Sequence, residues 1–357
     1  MSVQTKQTEK VISSIEKSFI KQVQKDKNLK SAFLLVHSEK KGIHLNIAEG
    51  EMNVNQPAYM ASVGKIFTSV LISMLYENGQ LSFEDRITKY LDQELVKQLH
   101  VYKGKDYTNE IKIKHLLNQT SGLYDNFRPL LEKLLNDPNF TMSPQETIIW
   151  AKTHQTPHFP PGKGFNYTDT NYHLLGLIIE KITGIPFHVA MNQYIYQPLG
   201  MMNSSVLHYS HPLDEDTQYL ADFYINNNNL TNHKGYAGLD YAGGGVVSTG
   251  EDMLKFMKAL TTYQLVKKET LEKMMNDKAK YGVGIEYGYG IMQFKTVPLL
   301  MPKLFNVWGH AGATGAYLFY HPKMDAYFIG TFNDFSYERK GVKFMLMKVI
   351  NQLRKIK

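Results

Sequence analysis

The most regular apolar pattern in the chain follows Tyr59-Met60-Ala61-Ser62-Val63-Gly64-Lys65. Ile66, Phe67, Val70, Leu71, Met74 and Leu75 recur at helical spacing, which predicts a helix buried along one side with Ser62 and Lys65 on one face of its first turn. Upstream, residues 9–24 place Ile12, Ile15, Phe19 and Val23 on one side of an amphipathic helix. Residues 32–37 form a nearly continuous apolar run and 43–48 alternate, with 38–42 as the turn of a hairpin. From about 79 to 230 the pattern is helical with long polar loops. Helices are predicted over 112–118, 128–136, 143–153 and 170–183, the last stopping at Gly184 with Pro186 beyond it. Strand character returns after about residue 240, at 243–247, 287–294, 316–320 and 326–332. Helices over 251–260 and 267–276 lie among these strands, and a C-terminal amphipathic helix carries Val342, Met345, Leu346, Val349, Ile350 and Leu353.

The predicted fold class is therefore α/β plus all-α. An antiparallel sheet flanked by helices is formed by residues 1–78 and 231–357. A mostly helical region, 79–230, is inserted between them, and the active-site cleft is expected where the two meet.

Composition narrows the chemistry. The 357 residues are 43% hydrophobic and 12% aromatic, enough for a full core rather than a disordered chain. The absence of cysteine excludes disulfides, thiolate nucleophiles and cysteine-ligated metals. The net charge of +7 is spread along the chain without a dense basic stripe or a reading motif, so nucleic acid is not an expected partner. Val11-Ile12 is followed by Glu16 and Lys17, which leaves no apolar core for a secretory signal, and the longest apolar runs are too short to span a bilayer. The expectation is a soluble, cytoplasmic protein without a membrane span. Its oligomeric state stays open.

Ser-x-x-Lys occurs four times, at Ser14/Lys17, Ser18/Lys21, Ser38/Lys41 and Ser62/Lys65. The first two fall on the polar side of the N-terminal helix and the third in the hairpin turn, so all three read as surface residues. Only Ser62/Lys65 opens a buried helix. A serine hydroxyl becomes a nucleophile when something takes its proton, and a lysine amine can do so if burial or a nearby cation lowers its pKa. Spacing alone favours a structural helix start over a catalytic pair.

A second feature is Phe165-Asn166-Tyr167-Thr168-Asp169-Thr170-Asn171-Tyr172-His173. Tyr-x-Asn/Asp also occurs at Tyr90, Tyr107, Tyr124 and Tyr224, so three residues decide nothing. Tyr167 differs in following the Pro160-Pro161-Gly162 loop and preceding a buried helix, a position from which its hydroxyl reaches a cleft. With its pKa depressed by a neighbouring lysine it would accept the serine proton. The third feature, Trp308-Gly309-His310-Ala311-Gly312-Ala313-Thr314-Gly315, reads either as a glycine-rich turn or as a strand edge laid against a substrate, with His310 in the cleft.

Together these features resemble the serine β-lactamase-related family of class C β-lactamases, serine DD-peptidases and related esterases and D-amino-acid peptidases. Its motifs Ser-x-x-Lys, Tyr-x-Asn and Lys-or-His-x-Gly come in this order. Residues 116–123, 161–176 and 242–252 extend the likeness to roughly residues 30–335. The resemblance implies a β-lactamase/transpeptidase-like fold. It implies Ser62 as the acylated nucleophile, Lys65 and Tyr167 sharing its proton, and the amides of Ser62 and Ala313 as the oxyanion hole. His310 and Gly312 would line the strand side, and Asn126 would contact substrate. Two departures stand out. Asp169 replaces the usual Asn, so an ionised carboxylate would keep Lys65 charged, shifting the burden to Tyr167, or would attract a substrate amine. His310 replaces the usual Lys of β-lactamases and would give a weaker, pH-dependent hold on a substrate carboxylate.

Other chemistries lack their motifs. There is no Gly-x-Ser-x-Gly, no P-loop and no full Gly-x-Gly-x-x-Gly. His154 and His158 have metal-pair spacing, but Pro157, Pro160 and Pro161 break the helix that would align them. The sequence thus points to a serine hydrolase with no metal and no cofactor, acting on a small-molecule ester, peptide or β-lactam. Ester or small-peptide hydrolysis leads. DD-carboxypeptidase or β-lactamase activity follows, disfavoured by the missing signal and by the missing lysine respectively. A non-catalytic binding or scaffold member of the family is the alternative of a different class.

Overall fold

Along the strand β1 (Ser31–Ser38), side chains alternate between two apolar cores. Ala32, Leu34 and Val36 pack with Val11, Ile15 and Phe19 of helix α1 (Val3–Lys25) and with the C-terminal helical segment through Val349 and Leu353. Phe33 and Leu35 point the other way, into the larger core that holds Ile66, Phe67 and Val70. The amphipathic pattern of α1 and the unbroken apolar run of β1 thus have one cause: β1 is covered on both faces, whereas α1 covers on one. The computed structural model describes residues 3–137 and 139–356.

β1 is the next-to-last strand of an eight-stranded antiparallel sheet. Its order is Ala279–Gly282, Ile285–Tyr287, Met292–Phe294, Trp308–Ala311, Tyr317–His321, Ala326–Thr331, β1 and then β2 (Ile43–Gly50). Helix α2 (Gly64–Glu77) lies under this sheet, buried at all but a few positions. It is wrapped on its far side by the helix Asp169–Thr183 and by Leu116, Leu117 and Leu123 from the inserted region. One continuous core therefore runs from β1 through α2 to the inserted helices.

Most predicted helices stand within two residues of their expected ends, because their caps are written locally. Ser143 accepts from the Glu146 amide at the start of Pro144–His154 in a capping box, and Gly184 closes Asp169–Thr183 in the left-handed conformation at φ 72°. Two strand expectations fail. Of residues 243–247, Gly243 and Gly244 end a helix, Tyr236–Gly244, and the strand begins only at Val246, running to Ser248. Its glycines serve close packing rather than a strand: a Cβ at Gly244 would lie 2.8 Å from the Ala61 carbonyl carbon. Residues 287–294 are two strands, Ile285–Tyr287 and Met292–Phe294, folded at Gly288, whose amide donates to the Ile291 carbonyl at 2.9 Å. Val246–Ser248 belongs to a small sheet with Ala58–Tyr59 and Ser205–Val206, two strands that had no sequence signal because each is only two residues long. No single helix among the described residues is long and apolar enough to cross a membrane.

Candidate active site

Ser62 sits in a single 3-10 turn, Ala61–Val63, that runs directly into α2. The residue before it, Ala61, is held at φ 48°, a left-handed backbone that alanine rarely adopts. Tight packing enforces it. A Cβ at Gly312 would fall 2.6 Å from the Met60 carbonyl oxygen and 2.9 Å from the Ala61 Cβ, so the strand-side chain touches the Ser62 turn only because position 312 is glycine. On the opposite side Gly64 and Gly244 meet backbone to backbone. That approach carries the Gly243 carbonyl onto Lys65.

Lys65 is completely buried. Its Nζ donates to Ser62 Oγ at 3.1 Å, to the Gly243 carbonyl at 2.6 Å and to Asp169 Oδ1. Three donors meet three acceptors, one of them a carboxylate, and the rings of Tyr167 and Tyr172 lie 5.1 and 5.3 Å from the nitrogen. That environment suits an ammonium. Because Ser62 Oγ accepts from Lys65, its own hydrogen must point elsewhere, and Tyr167 is the neighbouring hydroxyl. The Tyr167 phenol is pushed well above its usual pKa by burial and then by the Asp169 charge, with the Ser62 hydroxyl opposing. The sequence expectation of a depressed phenol is therefore reversed, because the Lys65 charge is already answered by Asp169.

Carboxylates crowd this side. Asp125 accepts from the Asp169 amide at 3.1 Å and is raised by burial and by Asp169. Asp240, buried behind the Ser62 turn, accepts from the Tyr59 hydroxyl at 2.7 Å, and burial followed by the Asp169 charge lifts it to about 7.

A cavity of about 570 Å³ opens over Ser62. Tyr167, Asp169, Asp125, Gly312 and Ala313 line its inner end, and Phe127, Tyr281, Ile285, Met292, Phe294 and Val342 form an apolar flank. Arg128 and Glu338 pair at 3.5 Å at its mouth. Among the described residues the amides of Ser62 and Ala313 have no hydrogen-bond acceptor, and both residues face the cavity.

Two expected cavity residues lie elsewhere. His310 is sealed behind the strand surface with no exposure. Its Nδ1 lies 2.6 Å from the Ala311 carbonyl, which can only accept, so Nδ1 carries the proton and Nε2 accepts from the Tyr287 hydroxyl at 3.0 Å. Burial and the Lys65 charge lower its pKa to about 3, so it is a neutral ring that holds no carboxylate. Asn126 is also buried and turned away, its Nδ2 bonded to Thr147 Oγ1 at 2.9 Å and His173 Nδ1 at 3.0 Å. Its neighbours Asp125 and Phe127 face the cavity instead. Sequence reasoning missed Asp125, Arg128 and Asp240. For Asp240 a signal existed: a lone carboxylate in the small, apolar run Ala237-Gly238-Leu239-Asp240-Tyr241-Ala242 is a buried charge in need of a reason.

Known proteins carry the same arrangement of elements. A sequence model of the Beta-lactamase family matches residues 17–351. Penicillin-binding protein 4* of Bacillus subtilis (strain 168) is 27% identical over 254 residues, 67% of this chain and 52% of its own length, so the chain spans about half of that relative. The D-amino acid amidase of Ochrobactrum anthropi SV3, solved with D-phenylalanine, superposes with a TM-score of 0.77 at 19% identity, covering 97% of this chain and 99% of the amidase. EstCE1, described as a hydrolase with promiscuous acyltransferase activity, superposes at 0.76 and 17% identity over 99% of both chains. These superpositions establish the β-lactamase/transpeptidase-like fold.

Proposed function

Because this chain belongs to the Beta-lactamase family, we propose that it is a serine hydrolase that cleaves an ester or small-peptide amide through an acyl-enzyme on Ser62. The observation that carries the reading is the three-way coordination of the Lys65 ammonium by Ser62 Oγ, Asp169 and the Gly243 carbonyl at the floor of the cavity. The two regions divide the work. Residues 1–78 and 231–357 supply the nucleophile, the lysine and the strand wall, and residues 79–230 supply Tyr167, Asp169 and Asp125.

In the acylation step Ser62 Oγ bonds to the substrate carbonyl carbon. Its proton passes to Tyr167 Oη, and the phenol hydrogen passes to the leaving nitrogen or oxygen as that bond breaks. A hydroxyl that accepts and donates in one step never has to ionise, which reconciles the role with the raised Tyr167 pKa. Lys65 stays charged and polarises Oγ, while the amides of Ser62 and Ala313 hold the oxyanion. Water then enters, gives its proton back along the same path and releases the acid and Ser62.

The charge balance selects among substrates. Asp169 and Asp125 line the inner cavity beside one ammonium, and His310 is neutral. A substrate with a neutral or amine-bearing acyl group fits the inner cavity better than one with a carboxylate there. This ranks esters and amino-acid amides, the latter the substrate class in the name of the Ochrobactrum amidase, ahead of penicillins and of D-alanyl peptides. The test is labelling with a fluorophosphonate, read by intact mass, beside turnover of nitrophenyl esters, D-amino-acid amides and a chromogenic cephalosporin. One adduct on wild type, none on Ser62→Ala, and turnover of the first two classes are expected. No adduct on wild type would make the chain a binding member of the family instead.

A further inference from the structure

The apolar flank of the cavity does not end at its mouth. Ile285 and Phe294, which line the cavity, sit opposite each other on paired strands. That register brings the 283–284 turn and the 295–303 connection together at one end of the sheet. There Val297 and Met301 bridge and close over Gly284, where a Cβ would meet the Val297 side chain at 2.7 Å. Beyond this contact the apolar surface continues into solvent. Leu299 is fully exposed, Leu300 is 75% and Val283 67% exposed, so three of the four most exposed large hydrophobics among the described residues share this lip. Leu299 is also held at φ 65°, where a leucine gains nothing from its backbone. Surface leucines of this kind lower solubility unless something covers them.

The charge around the lip indicates what covers it. Residues 278–303 carry four lysines and a single glutamate. That glutamate, Glu286, is shared by Lys278 at 2.7 Å and Lys295 at 3.9 Å, while Lys280 and Lys303 stand exposed. We propose that this lip docks on an anionic lipid surface, with Val283, Leu299 and Leu300 entering the headgroup boundary and Lys280, Lys295 and Lys303 meeting the phosphates. An apolar tip flanked by four lysines with one glutamate among them is the pattern that such an interface attracts. A second copy of the chain would bring the same positive ring against itself, which disfavours self-association through this face. The position of the lip deepens the hydrolase reading, on which this clause alone rests: an acyl chain leaving the lipid would pass along Ile285 and Phe294 toward Ser62.

Sedimentation with phosphatidylcholine vesicles, with and without phosphatidylglycerol, tests the proposal. Wild type is expected to pellet with the anionic vesicles and to be released by salt. The double variant Leu299→Asp, Leu300→Asp is expected to lose about tenfold or more of that partitioning. Both side chains are exposed and outside the cavity lining, so its turnover of a small soluble nitrophenyl ester should match wild type. Wild type remaining in the supernatant with both vesicle types, or the double variant partitioning like wild type, overturns the proposal. So does a concentration-dependent dimer that the double variant dissolves, which would make the lip a contact between copies. Vesicle binding needs no turnover, so a failed hydrolase reading would leave this result intact.

Discussion

On the helix side of the cavity the Lys65 ammonium is held by Asp169, Ser62 Oγ and the Gly243 carbonyl, with the Asp125 carboxyl beside Asp169. On the strand side His310 and Tyr287 satisfy each other behind the surface, and the cavity meets Gly312, Ala313 and the apolar side chains of Ile285, Met292 and Phe294. The Ser-x-x-Lys and Tyr-x-Asp residues lie on the first side and the His-x-Gly pair on the second, and their chemistry differs. The Lys65–Asp169 pair is open toward the cavity: the third donor of the ammonium is aimed at Ser62 Oγ. The His310–Tyr287 pair is complete in itself, with both ring nitrogens occupied. In the proposed mechanism proton traffic falls to the first side, and shape and the Ala313 amide of the oxyanion hole to the second.

Lys65→Ala attacks the first side hardest. It removes the charge that polarises Ser62 and strands Asp169 in the interior. Turnover is expected to fall by about 10³-fold or more, and stability by roughly 3–5 kcal/mol, read by ester hydrolysis and by urea unfolding. Near-native turnover in this variant would end the assignment of polar chemistry to this side. Tyr167→Phe probes the relay within it. Both substrates lose the acceptor of the Ser62 proton, and only an amide also needs the phenol hydrogen for its leaving group, so ester turnover should drop about 10²-fold and amide turnover about tenfold further. Equal losses on both substrates would show that Tyr167 acts only on Ser62 and not on the leaving group.

Much of this asymmetry could be read from the chain, and the unread part has a common cause. Helix ends were legible because caps such as Ser143–Glu146 and Gly184 act within a few residues. Ser62, Lys65, Tyr167 and Asp169 were singled out because each begins or precedes an apolar helix, and the fold brings them together. What depended on long-range approach was not legible. The glycines at 243 and 244 looked like a strand entry, yet they let the helix Tyr236–Gly244 touch Asp169 and Ala61. His310 looked like a cavity residue because alternation along a strand does not say which face is covered, and here the covered face carries the ring. Asn126 was one residue off for a similar reason: the chain enters the helix Phe127–Asn136 there, and a shift of one position turns a side chain from cavity to core.

Asp240 extends the charged side into the interior and gives it a pH signature. Its pKa of about 7, against the ordinary 3.8, means that the native state holds a proton that the unfolded chain has lost between about pH 4 and 7. Stability must therefore fall as pH rises through that window and level off above it. Asp240→Asn cannot ionise, so its melting temperature relative to wild type should rise from pH 5 to pH 8, by several degrees for a shift of this size. Asp169, Lys65, Tyr59 and Tyr236 are the titratable groups facing Asp240, and all four remain in the variant. A pH-independent difference would place the Asp240 charge outside the electrostatics of the site.

His310→Gln should have the smallest effect on turnover, and its pH dependence runs the other way. The lowered pKa of about 3, against 6.5, means that the unfolded chain takes up a proton that the native state refuses between about pH 3 and 6.5. This ring therefore costs stability at acid pH and nothing at pH 8. Glutamine can still accept from Tyr287, which limits the loss at neutral pH to about 1–2 kcal/mol, and the variant should gain on wild type as pH is lowered to 4. Because the ring touches neither Ser62 nor the cavity, kcat and KM are expected to stay within about threefold for esters and amides. KM for a carboxylate-bearing substrate should be as independent of pH in wild type as in the variant. A wild-type KM that rises with pH through the histidine range, and loses that rise in His310→Gln, would put a charged imidazole in contact with substrate and erase the division between the two walls.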